Sequence, residues 1–114
     1  MPFGLTESTV ARIRSVFKAS PLVQEVVLYG SRAKGNYKPG SDIDLTIKGR
    51  GLTLRELNKL TLALDDLLLP YTFDLSIHSM IENPDLLDHI DRVGVTIFKR
   101  QIPPSGENPE QSEA

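Results

Sequence analysis

Cysteine does not occur in the sequence, which excludes a disulfide framework, a thiolate zinc site and a cysteine nucleophile. That absence leaves the compartment open. Long apolar runs are missing as well: none reaches the roughly 20 residues a membrane-spanning helix needs, and Met1-Pro2-Phe3-Gly4 does not open a basic segment followed by an apolar one. A cytoplasmic protein without membrane contact is the expectation. An excess of positive charge is missing too, since 13 Lys and Arg stand against 15 Asp and Glu, for a formal net charge of -2. Affinity built on neutralising many nucleic-acid phosphates needs clustered cations, so direct nucleic-acid binding is not expected.

What is present is an ordinary globular composition, 39% hydrophobic and 25% charged over 114 residues, enough for one domain with its own core. That domain is expected over residues 1–102. Segment 103–114 has too little to bury to offset the entropy of ordering it, and reads as a disordered acidic tail. The nearest clustered cations are Arg32, Lys34 and Lys38, which suit a small anion such as a nucleoside triphosphate.

Leu5, Val10, Ile13, Val16 and Phe17 recur at helical spacing as far as Lys18, with Thr6 as N-cap and Pro21 as the stop. Val26 to Tyr29 is a short β-rich run ending at Gly30, a buried strand followed by a helical turn at Arg32-Ala33-Lys34 and a loop through Gly40. Residues Asp42 to Lys48 alternate, with Ile43, Leu45 and Ile47 on one face and Asp42, Asp44 and Thr46 on the other. Thr53-Leu54-Arg55-Glu56 reads as a capping box, opening a leucine-rich helix that runs through Leu67 and Leu68 to a stop at Pro70. Tyr71 to His78 alternates again and places Asp74 and Ser76 on the polar face. Asn83-Pro84 starts a further helix that Gly94 stops, before a last short strand over Val95, Ile97 and Phe98.

The chemistry concentrates where the first strand ends. A tight strand-to-helix turn aims backbone N–H groups at an anion, and glycine lets a phosphate come close to the main chain. Gly30-Ser31 offers such a turn and a hydroxyl, although by itself the pair reads as an ordinary turn. Two aspartates on one strand face repel one another, so Asp42 and Asp44 weaken that strand unless a cation lies between them. Hard divalent ions such as Mg²⁺ take oxygen ligands from one or two carboxylates plus substrate phosphates. Asp74, placed by the same alternation on the polar face of a strand expected to neighbour theirs, is the third candidate, with a solvated strand face as the alternative. Three such groups suffice for two ions, an arrangement that stabilises the attacking and leaving oxygens in phosphoryl transfer.

Gly30-Ser31, ten intervening residues and Asp42-Ile43-Asp44 resemble the signature of the DNA polymerase β-type nucleotidyltransferases. Gly30-Ser31-Arg32-Ala33-Lys34-Gly35 with Ser41-Asp42-Ile43-Asp44-Leu45 resembles its minimal nucleotidyltransferase branch. The resemblance covers about residues 5 to 100. It implies an α/β (α+β) fold, a small mixed β-sheet with helices packed mainly on one face. It further implies that Gly30 and Ser31, with Arg32 and Lys34, contact the nucleotide, and that Asp42, Asp44 and Asp74 bind two Mg²⁺ ions. Asp74 would also activate the acceptor hydroxyl that attacks the α-phosphate of ATP. Minimal members often pair with a small helical HEPN-domain toxin and act as antitoxins by transferring AMP to one of its tyrosines, which implies a hetero-oligomer. Lys34 departs from the arginine that many relatives carry, keeping the charge without the planar fork.

Two other functions fit the same residues: neutralising the partner by occlusion without turnover, and transfer to a small molecule. The second is disfavoured because no residues remain for an acceptor-holding domain. His78, in phase with Asp74 and Ser76, reads as surface near the rim of the site, and His89, inside the last helix, has still less claim on it. Asp65-Asp66 reads as a solvated pair. The leucine-rich helix is wider in its apolar face than a small sheet covers, which leaves a choice between core and partner surface.

Overall fold

Four strands, β1 (Glu25–Tyr29), β2 (Ile43–Lys48), β3 (Phe73–Ile77) and β4 (Val95–Lys99), form one sheet in the order β3-β2-β1-β4. The computed structural model describes residues 2–38 and 40–100; the tail expected over 103–114 lies outside them. β1 runs antiparallel to both neighbours, while β2 and β3 are parallel. The parallel pair needs a crossover, and α3 (Leu54–Asp65) supplies it. α1 (Glu7–Lys18) precedes the sheet, α2 (Gly30–Lys34) follows β1, and α4 (Pro84–Val93) leads into β4. The result is the mixed α+β sheet that the resemblance implies.

The alternation read from sequence sorts the side chains onto two faces. On one, Val26, Leu28, Ile43, Leu45, Ile47 and Ile77 pack with Val10, Ile13 and Phe17 of α1 and Leu60 and Leu64 of α3, forming the main core. Packing of this kind is where most of the helices' stability comes from. On the other face a smaller cluster joins Val27 and Tyr29 to Ile90 of α4. α4 therefore lies over the end of β1, and β2 and β3 keep a polar, less covered surface beside it.

The helix starts follow their caps. Thr6 accepts the Thr9 N–H, Thr53 accepts the Glu56 N–H, and Asn83 Oδ1 accepts from Asp85 and Leu86. One end differs from expectation. α3 stops at Asp65 rather than continuing through Leu68. Leu67 N–H reaches Leu64 O and Leu68 N–H reaches Asp65 O, so the last turns tighten, and Leu68 then takes a φ of 56°. Leu68 is consequently 88% exposed, as Leu54 and Leu62 are largely exposed on the outer side of α3, while Leu57, Leu60 and Leu64 face inward.

Candidate active site

The site starts where β1 hands over to α2. Gly30 has a φ of +76°, a backbone conformation that side chains resist, and a Cβ there would press into the Asp44 carboxylate. Both conformation and space require glycine. Ser31 follows, half-buried, and its carbonyl accepts the Gly35 and Asn36 N–H groups at 2.9 and 3.2 Å, closing the short helix. Gly35, at a φ of 86°, lets the chain turn away at its end.

Sheet register brings the acids together. Tyr29 pairs with Asp44 across the antiparallel ladder, and Asp44 pairs with Asp74 across the parallel one. All three lie on the face opposite the main core, and Asp42, just ahead of β2, is exposed, as is Asp74. Burial raises the pKa of the half-buried Asp44 carboxyl, the negative charges of Asp74 and Asp42 raise it further, and His89 opposes them. The Tyr29 phenol is raised by burial; a hydrogen bond with Ser76 works against that, and the charges of Asp74 and Asp44 add to it. The Ser76 hydroxyl in turn donates to Thr46 Oγ1 at 3.0 Å.

Asp42, Asp44 and Asp74 are the oxygen donors that a hard divalent ion takes, and each neighbouring negative charge makes Asp44 harder to ionise, the cost a cation removes. The donor set therefore fits Mg²⁺. Among the described residues no three such side chains are drawn together to ligation distance. The ladder aligns Asp44 with Asp74, while Asp42 stands outside the strand, and like charges keep apart.

Two cations expected at the nucleotide have different places. Lys34 is exposed at the end of α2. Arg32 is 3% exposed, and its guanidinium is engaged elsewhere: Nη1 donates to Phe3 O at 2.8 Å, and Nε and Nη2 donate to Ser41 O at 3.2 and 3.0 Å. The rings of Tyr37 and Tyr71 lie 5.2 and 5.0 Å from its Cζ. Arg32 thus fastens the segment just before Asp42 to α2 and to the N-terminal turn. The structure does not bring this side chain to the Gly30-Ser31 turn.

The histidines exchange places relative to the sequence reading. His89 of α4 reaches the site, where its Nε2 accepts the Gly30 N–H at 3.1 Å and its ring meets Tyr29 edge-on. His78 opens the short turn after β3, half-buried, with Nε2 shielded and without a hydrogen-bond partner among the described residues. Ile90, the buried residue of α4, anchors the helix to β1, and no local sequence signal marks its neighbour His89 as part of the site. Asp65 and Asp66 are exposed, as read from sequence.

Residues 11–102 match the polymerase beta, nucleotidyltransferase family. No curated protein matches the chain. Among solved structures, a chain of a toxin–antitoxin complex with AMP-PNP superposes with a TM-score of 0.67 at 21% identity, over 81% of this chain and 74% of that one. A chain from the complex of a tri-AMPylated Shewanella oneidensis HEPN toxin with its MNT antitoxin gives 0.64 at 17% identity, over 84% and 74%. A minimal nucleotidyltransferase structure gives 0.62 at 28% identity, over 83% and 95%.

Proposed function

The chain belongs to the polymerase beta nucleotidyltransferase family and is a nucleotidyltransferase, and on that premise we propose that it transfers AMP from ATP to a hydroxyl of a helical HEPN-type toxin, acting as the antitoxin. The observation that carries this reading is Asp44 set directly across the ladder from Asp74 with Gly30 pressed against its carboxylate. The Gly30-Ser31 turn receives the triphosphate, with Ser31 donating to a phosphate oxygen and exposed Lys34 adding charge nearby. Asp42, Asp44 and Asp74 would hold Mg²⁺, which when bound would neutralise phosphate charge as it develops.

In the transfer the acceptor oxygen forms a bond to the α-phosphorus, the bond from that phosphorus to the bridging oxygen breaks, and pyrophosphate carries the electron pair away. Asp74, exposed on its strand, takes the proton from the acceptor hydroxyl. Arg32 acts at one remove, holding the Ser41 end of the loop and with it the place of Asp42 just ahead of β2. The similar chains found in toxin complexes support a HEPN toxin as partner, and the AMP-PNP complex supports an adenine nucleotide as donor.

The test is to incubate the chain with labelled ATP, Mg²⁺ and a helical HEPN-domain protein as partner. Label should enter the partner with the wild type and not with Asp42→Ala. If the partner stays unlabelled and the variant still neutralises it, occlusion is the function instead; label on a small molecule rather than the partner would make this chain a small-molecule transferase.

A further inference from the structure

One polar contact at the site has no part in the transfer just described: the 3.1 Å bond from Gly30 N–H to His89 Nε2. A backbone N–H can only donate, so Nε2 is the acceptor. The ring is well anchored. Ile90, 3% exposed, packs α4 against Val27 and Tyr29, and the His89 ring stands at 80° to the Tyr29 ring with centroids 6.2 Å apart. At the end of α4 a Cβ on Gly94 would come within 2.7 Å of Val27 Cγ1, so glycine there lets the helix lie close to β1. Gly30 is the opposite case. Glycine tolerates its φ of +76° but does not enforce it, since many other conformations are equally open to it.

We propose that His89 is a positioning residue for nucleotide binding: by accepting the Gly30 N–H it holds the Gly30-Ser31 turn in the conformation that presents Ser31 to the triphosphate. The proposal rests on the reading of that turn as the phosphate site. Gly30 then contributes its missing side chain, which admits Asp44, and Ser31 contributes the donors. Helix α4, remote from the motif in sequence, becomes part of the nucleotide site through one ring nitrogen.

Two substitutions in the full chain separate the acceptor from the ring. His89→Phe keeps the edge contact with Tyr29 and loses the acceptor; His89→Gln loses the ring and places an amide oxygen within reach of Gly30. With Mg²⁺ and ATP followed by calorimetry, His89→Phe should weaken binding about tenfold, the size of one net hydrogen bond, and His89→Gln should stay within about threefold of wild type. In the transfer assay the loss should fall on KM for ATP rather than on kcat. Wild-type affinity in His89→Phe, or equal loss in both variants, overturns the proposal. Hydrogen exchange at the Gly30 amide reads the contact without nucleotide: it should be faster in His89→Phe than in His89→Gln, and equal rates overturn the proposal. A wild type that binds no ATP while its Gly30 amide is protected refutes the phosphate-site reading and the nucleotide role of His89, leaving the contact itself intact.

Discussion

Replacing Asp44 by asparagine should make the protein more stable and less active at once. Asp44 and Asp74 stand opposite each other in the β2–β3 ladder, and two unit charges a few ångströms apart repel by up to about 1 kcal/mol even at the dielectric of water. Like charges directly opposed on a sheet face are destabilising. Burial of the Asp44 carboxyl adds to this, and solvent screening of the exposed Asp74 reduces it. Asp44→Asn keeps the shape and should gain about 0.5–1 kcal/mol, a rise of about 2–8 °C in Tm for a domain of this size. The pH dependence fixes the sign. The folded carboxyl binds its proton more tightly than the unfolded one, so ionising Asp44 costs native stability; the cost is absent below the unfolded pKa and complete once pH exceeds the raised folded value. The gain in Asp44→Asn should therefore be full at pH 7 and shrink towards acid. Thermal unfolding across pH, without and with Mg²⁺, reads this directly, and transfer should fall at least about a hundredfold because stabilisation by a metal ion is worth several kcal/mol. A variant that melts below wild type at pH 7, or a difference that does not change with pH, refutes the charge argument.

Three further outcomes follow from the same contacts. Gly30→Ala forces a side chain into a left-handed position, at about 1–2 kcal/mol, and displaces the Asp44 carboxylate, so Tm should drop and ATP binding should weaken together. Arg32→Lys keeps the charge but cannot reach Phe3 and Ser41 together, which should cost about 2 kcal/mol, seen as a lower urea midpoint and faster proteolysis around residue 41. Asn83→Ala removes the cap of α4 and should cost about 1 kcal/mol, with a weaker effect on ATP binding than His89→Phe.

Much of this site was legible because strands repeat every two residues. Alternation alone put Asp44 and Asp74 on polar faces, and the register then set them opposite each other; nothing in either segment says that β2 and β3 are parallel, which depends on α3 crossing over. The capping residues Thr6, Thr53 and Asn83 marked their helices because their side chains act within three residues. The end of α3 was harder, since Leu67 and Leu68 continue the helical spacing while the backbone has already tightened and reversed. Arg32 and His89 depend on contacts far along the chain. A cation beside a phosphate turn invites a nucleotide role, yet its partners Phe3, Ser41, Tyr37 and Tyr71 surround it only in the folded protein. Helical spacing places His89 next to a buried residue but not over β1, which is where α4 crosses.

Asp74 sits on β3, at the margin of the sheet, with no strand beyond it among the described residues. On the proposed reading, an acceptor carried on a partner protein can approach from this side of the sheet without being threaded into an enclosed chamber. In such an arrangement the selectivity for what is modified is written in how two proteins dock, while the acid pair, indexed by main-chain pairing, needs to change very little. Specificity and chemistry are then free to diverge at different rates.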